Sequence, residues 1–338
     1  INNKRKTMNK FTKVGITALA GSLASFAANA ASLDVTGSAK LTYMSQDSTE
    51  VTGNPLGMNT AISFVGSGEV NGYATTLTIV NNDANTGLSS ASLAVDLGDL
   101  GKVYFDQGVG HGGISTIDDK TPTANEEVWD SLDAVAGTVN GLVGGGNSGV
   151  IVYANSYDGV NLSAQVSKGD RSANGDGASS GGTGGTSWDF ALTSATLMDG
   201  LDAGVGYGRI ANGSDDAGGD DTNTHMVVYA NYTVGMATVG ATLSEVNDRS
   251  TSTAQDEEGQ GFGIALNVND NLSISYGERE VEHVNTGSAN VTEDITGYAV
   301  AYTMGSAKIT LQTNDTANNG GTAGTDDKAT ELALMLTF

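Results

Sequence analysis

The chain has 338 residues: 39 are acidic, 15 basic, 48 glycine, two proline and none cysteine, and the net charge is −24. That charge excludes a nucleic-acid binder, which needs a basic footprint. The lack of cysteine excludes a disulfide-stapled scaffold, and no run reaches the roughly 18 apolar residues of a membrane-spanning helix.

Read from the N-terminus, residues 1–7 precede a start methionine at Met8. Lys10 and Lys13 form a short basic region, Val14 to Ala27 is uncharged and weakly apolar, and Ala28-Asn29-Ala30 is a small-x-small cleavage pattern. Residues 1–30 therefore read as upstream sequence plus a cleavable secretory leader. Removing them takes away Lys4, Arg5, Lys6, Lys10 and Lys13. Ten basic residues then face 39 acidic ones, so the mature chain 31–338 carries a net charge of about −29.

Beyond the leader the chain reads as an all-β domain. Sixteen segments alternate in polarity: 33–44, 58–70, 73–81, 88–96, 101–107, 149–156, 160–168, 186–195, 201–210, 225–233, 236–247, 260–268, 272–280, 293–303, 307–314 and 330–338. Period two with one apolar face is a strand signature; Phe262, Ile264 and Leu266 form such a row, as do Tyr298, Val300 and Tyr302. The connections alternate in length. Tight turns such as Asn71-Gly72, Tyr157-Asp158-Gly159 and Gly305-Ser306 use residues that accept positive φ. Longer polar loops lie between them: 45–57, 82–87, 108–148, 169–185, 211–224, 248–259, 281–292 and 315–329. Short turns on one side and long loops on the other predict a transmembrane antiparallel β-barrel with both termini at the short-turn end. A glycine-rich solenoid would need a fixed short repeat, and none recurs.

The 108–148 loop is the longest, and loops above about 12–15 residues usually have a function. It holds Asp118, Asp119, Glu126, Glu127, Trp129, Asp130 and Asp133, followed by Leu132, Val135, Val139, Leu142 and Val143. An acidic front with an apolar back suits a loop that lies on an inner wall and narrows a lumen; the competing reading is an external cap. Strand parity turns Lys40 inward at mid-height, Lys102 inward near the short-turn end, Lys308 inward, and Arg279 inward near the long-loop end. Outward aromatics at Tyr43, Tyr73, Tyr276, Tyr298 and Phe338 suit interfacial girdles.

Other constellations are weaker. Gly108-Val109-Gly110-His111-Gly112-Gly113 fits a dinucleotide pattern in letters, but no helix or βαβ unit follows. His111, His225 and His283 are not at ligand spacing, and nothing places a serine beside a histidine, so no enzyme activity and no cofactor is expected. Asp215, Asp216, Asp220 and Asp221 are candidate oxygen ligands for loop-bound Ca²⁺, although solvated carboxylates account for them as well.

Three stretches carry a family resemblance. Leu33-Asp34-Val35-Thr36-Gly37-Ser38-Ala39-Lys40 resembles the first strand of alphaproteobacterial-type general porins. The stretch from Gly98 to Gly108, Gly-Asp-Leu-Gly-Lys-Val-Tyr-Phe-Asp-Gln-Gly, resembles the turn and strand that lead into their constriction loop. The terminal strand ending in Phe338 is similar to theirs too. The resemblance implies sixteen strands, a third loop folded into the lumen, a homotrimer in the Gram-negative outer membrane among lipid and lipopolysaccharide, export through the periplasm, and passive diffusion of small hydrophilic solutes. The acidic mature chain implies a preference for cations. A plugged, adhesive barrel and a substrate-specific channel are the alternatives. Those porins set an arginine-rich wall against the loop acids; with ten basic residues, this chain is expected to have a weaker transverse field. The mature protein is expected to begin Ala31-Ser32-Leu33. Mass spectrometry of the envelope protein checks this, and an intact Met8 on the folded membrane form overturns it.

Overall fold

A computed structural model describes residues 31–46, 54–82, 90–110, 112–132, 148–168, 185–211, 222–247, 255–285 and 289–338. The leader therefore lies outside the described residues, as do Asp133, Val135, Val139, Leu142, Val143, His111 and the calcium candidates Asp215, Asp216, Asp220 and Asp221.

Sixteen antiparallel strands form one closed barrel, each paired with its sequence neighbours and β1 paired also with β16. The first four are β1 (Ser32–Gln46), β2 (Leu56–Val70), β3 (Tyr73–Asn82) and β4 (Ser90–Asp96). Next come β5 (Lys102–Gln107), β6 (Ser148–Tyr157), β7 (Val160–Lys168) and β8 (Thr186–Ser194). They are followed by β9 (Leu201–Ala211), β10 (Thr222–Val234), β11 (Ala237–Asn247) and β12 (Gln255–Asn267). The last are β13 (Leu272–Asn285), β14 (Val291–Met304), β15 (Ala307–Ala317) and β16 (Asp327–Thr337).

All sixteen expected strands are present, and the tight turns fall where their chemistry places them. Asn71 and Gly72 have φ of 53° and 86°, and Asp158 and Gly159 have 49° and 78°, the left-handed pair that a two-residue hairpin matched to strand twist requires. The expected boundaries fail at the long-loop ends. β12 starts five residues earlier and β13 runs five residues further than the polarity alternation indicates. The added residues include Asp256, Glu257 and Glu258 paired with Val284, His283 and Glu282. Polar residues stand on both faces there, with Val281 and Val284 among them, so the ladder continues without a hydropathy period. This moves Arg279 from near the long-loop end, where it was expected, to the middle of β13; its inward parity stands.

The barrel is polar inside and apolar outside. Leu41, Tyr43, Phe64, Leu77, Trp188, Val205, Phe262, Tyr298, Leu311 and Leu332 are exposed, whereas Gln165, Asp189, Arg279, Glu293, Gln312, Asn314 and Glu331 are buried. A water-soluble protein shows the reverse; a barrel whose outer face meets lipid needs this order. Trp188 stacks near Tyr207 at 5.8 Å and Tyr276 near Tyr298 at 4.9 Å on the outward parity. The seam is sealed at the chain end: Gly37 donates to the Phe338 carbonyl at 2.8 Å, and the Phe338 amide donates back to the Gly37 carbonyl at 3.0 Å. The Phe338 ring lies where a Gly37 side chain would stand.

Candidate functional site

The site is built by the segment that leaves β5. Asp106 is buried at the end of that strand and accepts the amides of Gly108 and Gly110, at 3.0 and 3.3 Å. The chain then turns at Gly113, whose φ is 57° and which has no room for a β-carbon beside the Asp189 carboxylate. Ser163 of β7 accepts the Gly113 amide at 2.8 Å, and Asp189 of β8 accepts the Ile114 amide at 2.8 Å while its other oxygen takes the Gln165 side-chain amide. Asp189 is 1% exposed; a buried carboxylate is tolerated when its oxygens are hydrogen-bonded.

From this root the segment crosses the inner parity of seven further strands. Ile114 and Ile117, in and just after the 3₁₀ turn Gly113–Thr116, pack with Ala191, Val227 and Tyr229. The Asn231 amide donates to the Lys120 carbonyl at 2.7 Å, and the Thr121 and Thr242 hydroxyls are 3.2 Å apart. The Ala124 amide donates to Ser275 at 2.9 Å. On β15, Gln312 accepts from Asn125 and from the Glu126 amide and donates to the Glu127 carbonyl at 2.7 Å; Asn314 donates to the Asp130 carbonyl at 2.7 Å. Each bond contributes about 1 kcal/mol net, so the segment is held by their number and by its apolar anchors. Those anchors are Ile114, Ile117 and Val128, which lie before and among the acids. The expected apolar back at 135–143 falls outside the described residues.

The wall makes room for the segment with glycine, a signal the sequence reading missed. A β-carbon at Gly263 would stand 2.6 Å from the Pro122 carbonyl, one at Gly277 2.6 Å from Val128, and one at Gly206 2.6 Å from Ile114. These glycines occupy the inner parity of their strands, where the polarity alternation recorded only a small residue.

The five described loop acids, Asp118, Asp119, Glu126, Glu127 and Asp130, lie together on this segment. Burial pushes Asp118 up to about 7, reinforced by the Asp119 charge. Burial likewise pushes Glu127 up to about 7, with Asp119, Glu126 and Asp130 adding to it. Glu126 is also raised by burial and by Asp130, against the opposing pull of Lys40 and Lys308. Of the four basic residues expected to point into the lumen, three lie beside the segment. Lys40 is 2.8 Å from Glu331 and within electrostatic reach of Glu126 and Asp130. Lys308 donates to the Asn125 side chain at 3.2 Å. Arg279 lies 4.4 Å over the Trp129 ring, an attraction of about 2 kcal/mol when desolvated. Lys102 stands at the first residue of β5, on the parity of Asp106, at the short-turn rim.

Gly263→Val forces the Pro122 backbone to move, at a cost of about 1–3 kcal/mol typical of overpacking. Single-channel recording should show a larger, noisier conductance; an unchanged trace shows that the segment does not depend on this contact.

Comparison with known proteins places these features. A search of curated proteins finds no sequence relative. Among solved structures, the chain is similar to in-vitro folded OmpT, an outer membrane protein of Vibrio cholerae (15% identity, 91% of this chain and 98% of that chain, TM-score 0.66). It is similar to Salmonella typhi OmpF in complex with daunomycin (13% identity, 90% and 97%, TM-score 0.65). It is also similar to an anion-selective porin from Comamonas acidovorans (11% identity, 91% and 100%, TM-score 0.65). At these identities the likeness establishes the fold. The family model described as Gram-negative porin matches residues 15–293, which is most of the chain, and the protein belongs to the Gram-negative porin family.

Proposed function

We propose that this porin is a passive, non-enzymatic, cation-preferring channel, constricted by the 112–132 segment lying within the lumen. The observation that carries this reading is the strapping of five carboxylates to the inner parity of the wall, opposite Lys40, Lys308 and Arg279. An anion-selective relative of the same fold does not decide the sign here, because selectivity follows the charges of each chain at its narrowest section. At physiological salt, charges more than about 8 Å away are largely screened. The total charge of the chain therefore matters less than the acids a passing ion meets closely. The reading extends to a homotrimer, as V. cholerae OmpT is described in its trimer form. It also includes export through the periplasm, contact of the apolar outer face with lipid, and lipopolysaccharide at the long-loop end.

Two outcomes are expected. Glu126→Gln with Glu127→Gln removes about 1 kcal/mol of attraction per charge for a cation passing ~4 Å away in water. The cation-to-anion permeability ratio, read as zero-current potential in a KCl gradient, should fall several-fold, and Lys40→Gln should raise it. An unchanged potential in the double variant places the constriction elsewhere.

The second concerns pH. A carboxyl raised to about 7 is neutral below that pH and negative above it, so Asp118 and Glu127 gain charge as pH rises through about 7. Cation selectivity should rise across that window. Asp118→Asn with Glu127→Gln should flatten the pH profile; a profile as steep as wild type assigns the titration to other groups.

A further inference from the structure

On the short-turn side of the 112–132 segment, the inner wall of β6 to β10 leaves a cavity of about 520 Å³. That is within the size range of small-ligand sites. Thr116 and Lys120 line it from the segment; Asn161, Thr193 and Asp202 line it from strand ends close to the short turns. Tyr229 joins the two sides. Its hydroxyl donates to Asp202 Oδ1 at 2.9 Å, and the Lys120 ammonium lies 6.0 Å from its ring centroid. The Lys120 backbone is tied to Asn231, so the side chain reaches over the ring from a fixed base.

The two charges do not neutralise each other. Among the described residues, no carboxylate lies within ion-pair distance of the Lys120 ammonium, and Asp202 Oδ2 accepts no hydrogen bond. A cation over the ring face and an anion at the hydroxyl of one phenol thus line the same cavity, each with free bonding capacity. The polar lining around them, which includes Thr116, Asn161 and Thr193, offers hydroxyl and amide groups.

We propose that this cavity is a transit site for small zwitterionic solutes of amino-acid type, the carboxylate meeting Lys120 and the ammonium meeting Asp202. The proposal rests on the channel reading and adds a substrate class to it. A simple cation meets Asp202 but is opposed by Lys120, and a simple anion meets the reverse. Only a solute carrying both charges satisfies both groups. The contacts are wet and each is weak, as a transit site requires, because the solute must leave as readily as it enters.

The test uses the full-length pore in liposomes, with L-serine as probe and glycerol flux in the same vesicles as reference. Wild-type serine uptake should saturate with concentration while glycerol uptake stays linear. Lys120→Gln and Asp202→Asn should each raise the half-saturating serine concentration about three- to fivefold relative to wild type. Lys120→Arg and Asp202→Glu should retain saturation. Serine methyl ester, which lacks the carboxylate charge, and N-acetylserine, which lacks the ammonium, should not saturate. Linear serine uptake in wild-type vesicles that pass glycerol and KCl overturns this site and leaves the channel standing. Saturation unchanged in both charge-removing variants overturns it too. Vesicles that pass neither glycerol nor KCl overturn the channel reading and this site with it.

Discussion

Every backbone amide and carbonyl that enters hydrocarbon must find its partner within the protein, since each unsatisfied group costs several kcal/mol there. A sheet meets that demand only when it has no edge, and here β1 meets it by pairing with both β2 and β16. The residues at the seam follow from this demand. Gly37 leaves its outer face empty, and the terminal Phe338 ring fills it while the two backbones exchange hydrogen bonds. Closure also dictates the distribution of polarity. A continuous wall has one side for lipid and one for water, so Leu311 and Gln312, adjacent in sequence, stand on opposite sides with opposite burial.

Closure leaves a largely polar interior, and the 112–132 segment is what organises it. The segment brings its own small core, Ile114 and Ile117 against Val227 and Tyr229, and elsewhere depends on amide and hydroxyl side chains of the wall. Its close approach requires glycine on the inner parity. A wall built for water alone would tolerate larger polar residues at Gly206, Gly263 and Gly277; a wall that carries a strap does not. Function and packing therefore meet in the same residues: those that hold the segment also set where its carboxylates stand.

The electrostatics follow from that placement. Burial raises the proton affinity of the segment's carboxylates, their neighbouring charges add to it, and the basic residues opposite are few. Arg279 stacks on the Trp129 ring within electrostatic reach of Asp119 and Asp118, and Lys40 is shared with Glu331. The balance at the segment remains acidic. On its short-turn side, Lys120 stands over the Tyr229 ring and Asp202 accepts its hydroxyl, so one lumen presents two different charge patterns in series.

Much of this molecule was legible in the sequence because the relevant physics is local. Strand position and facing follow from period two, hairpin ends follow from residues that tolerate positive φ, and the inward parity of Lys40, Arg279 and Lys308 follows from the aromatics and aliphatics beside them. The length of the 108–148 loop and its acids were equally plain. Tertiary structure decided the rest. It set the height of Arg279, because β12 and β13 continue where polar residues stand on both faces and no alternation marks the ladder. It decided which wall residues hold the segment, because Lys308 and Asn125 lie 183 residues apart and Asn231 and Lys120 111 apart. It gave the inner glycines their purpose, because a missing side chain acquires meaning only from what stands in its place. Contacts across a closed barrel depend on the curvature of the whole sheet, and no local pattern of residues encodes which two points of a circle will face each other.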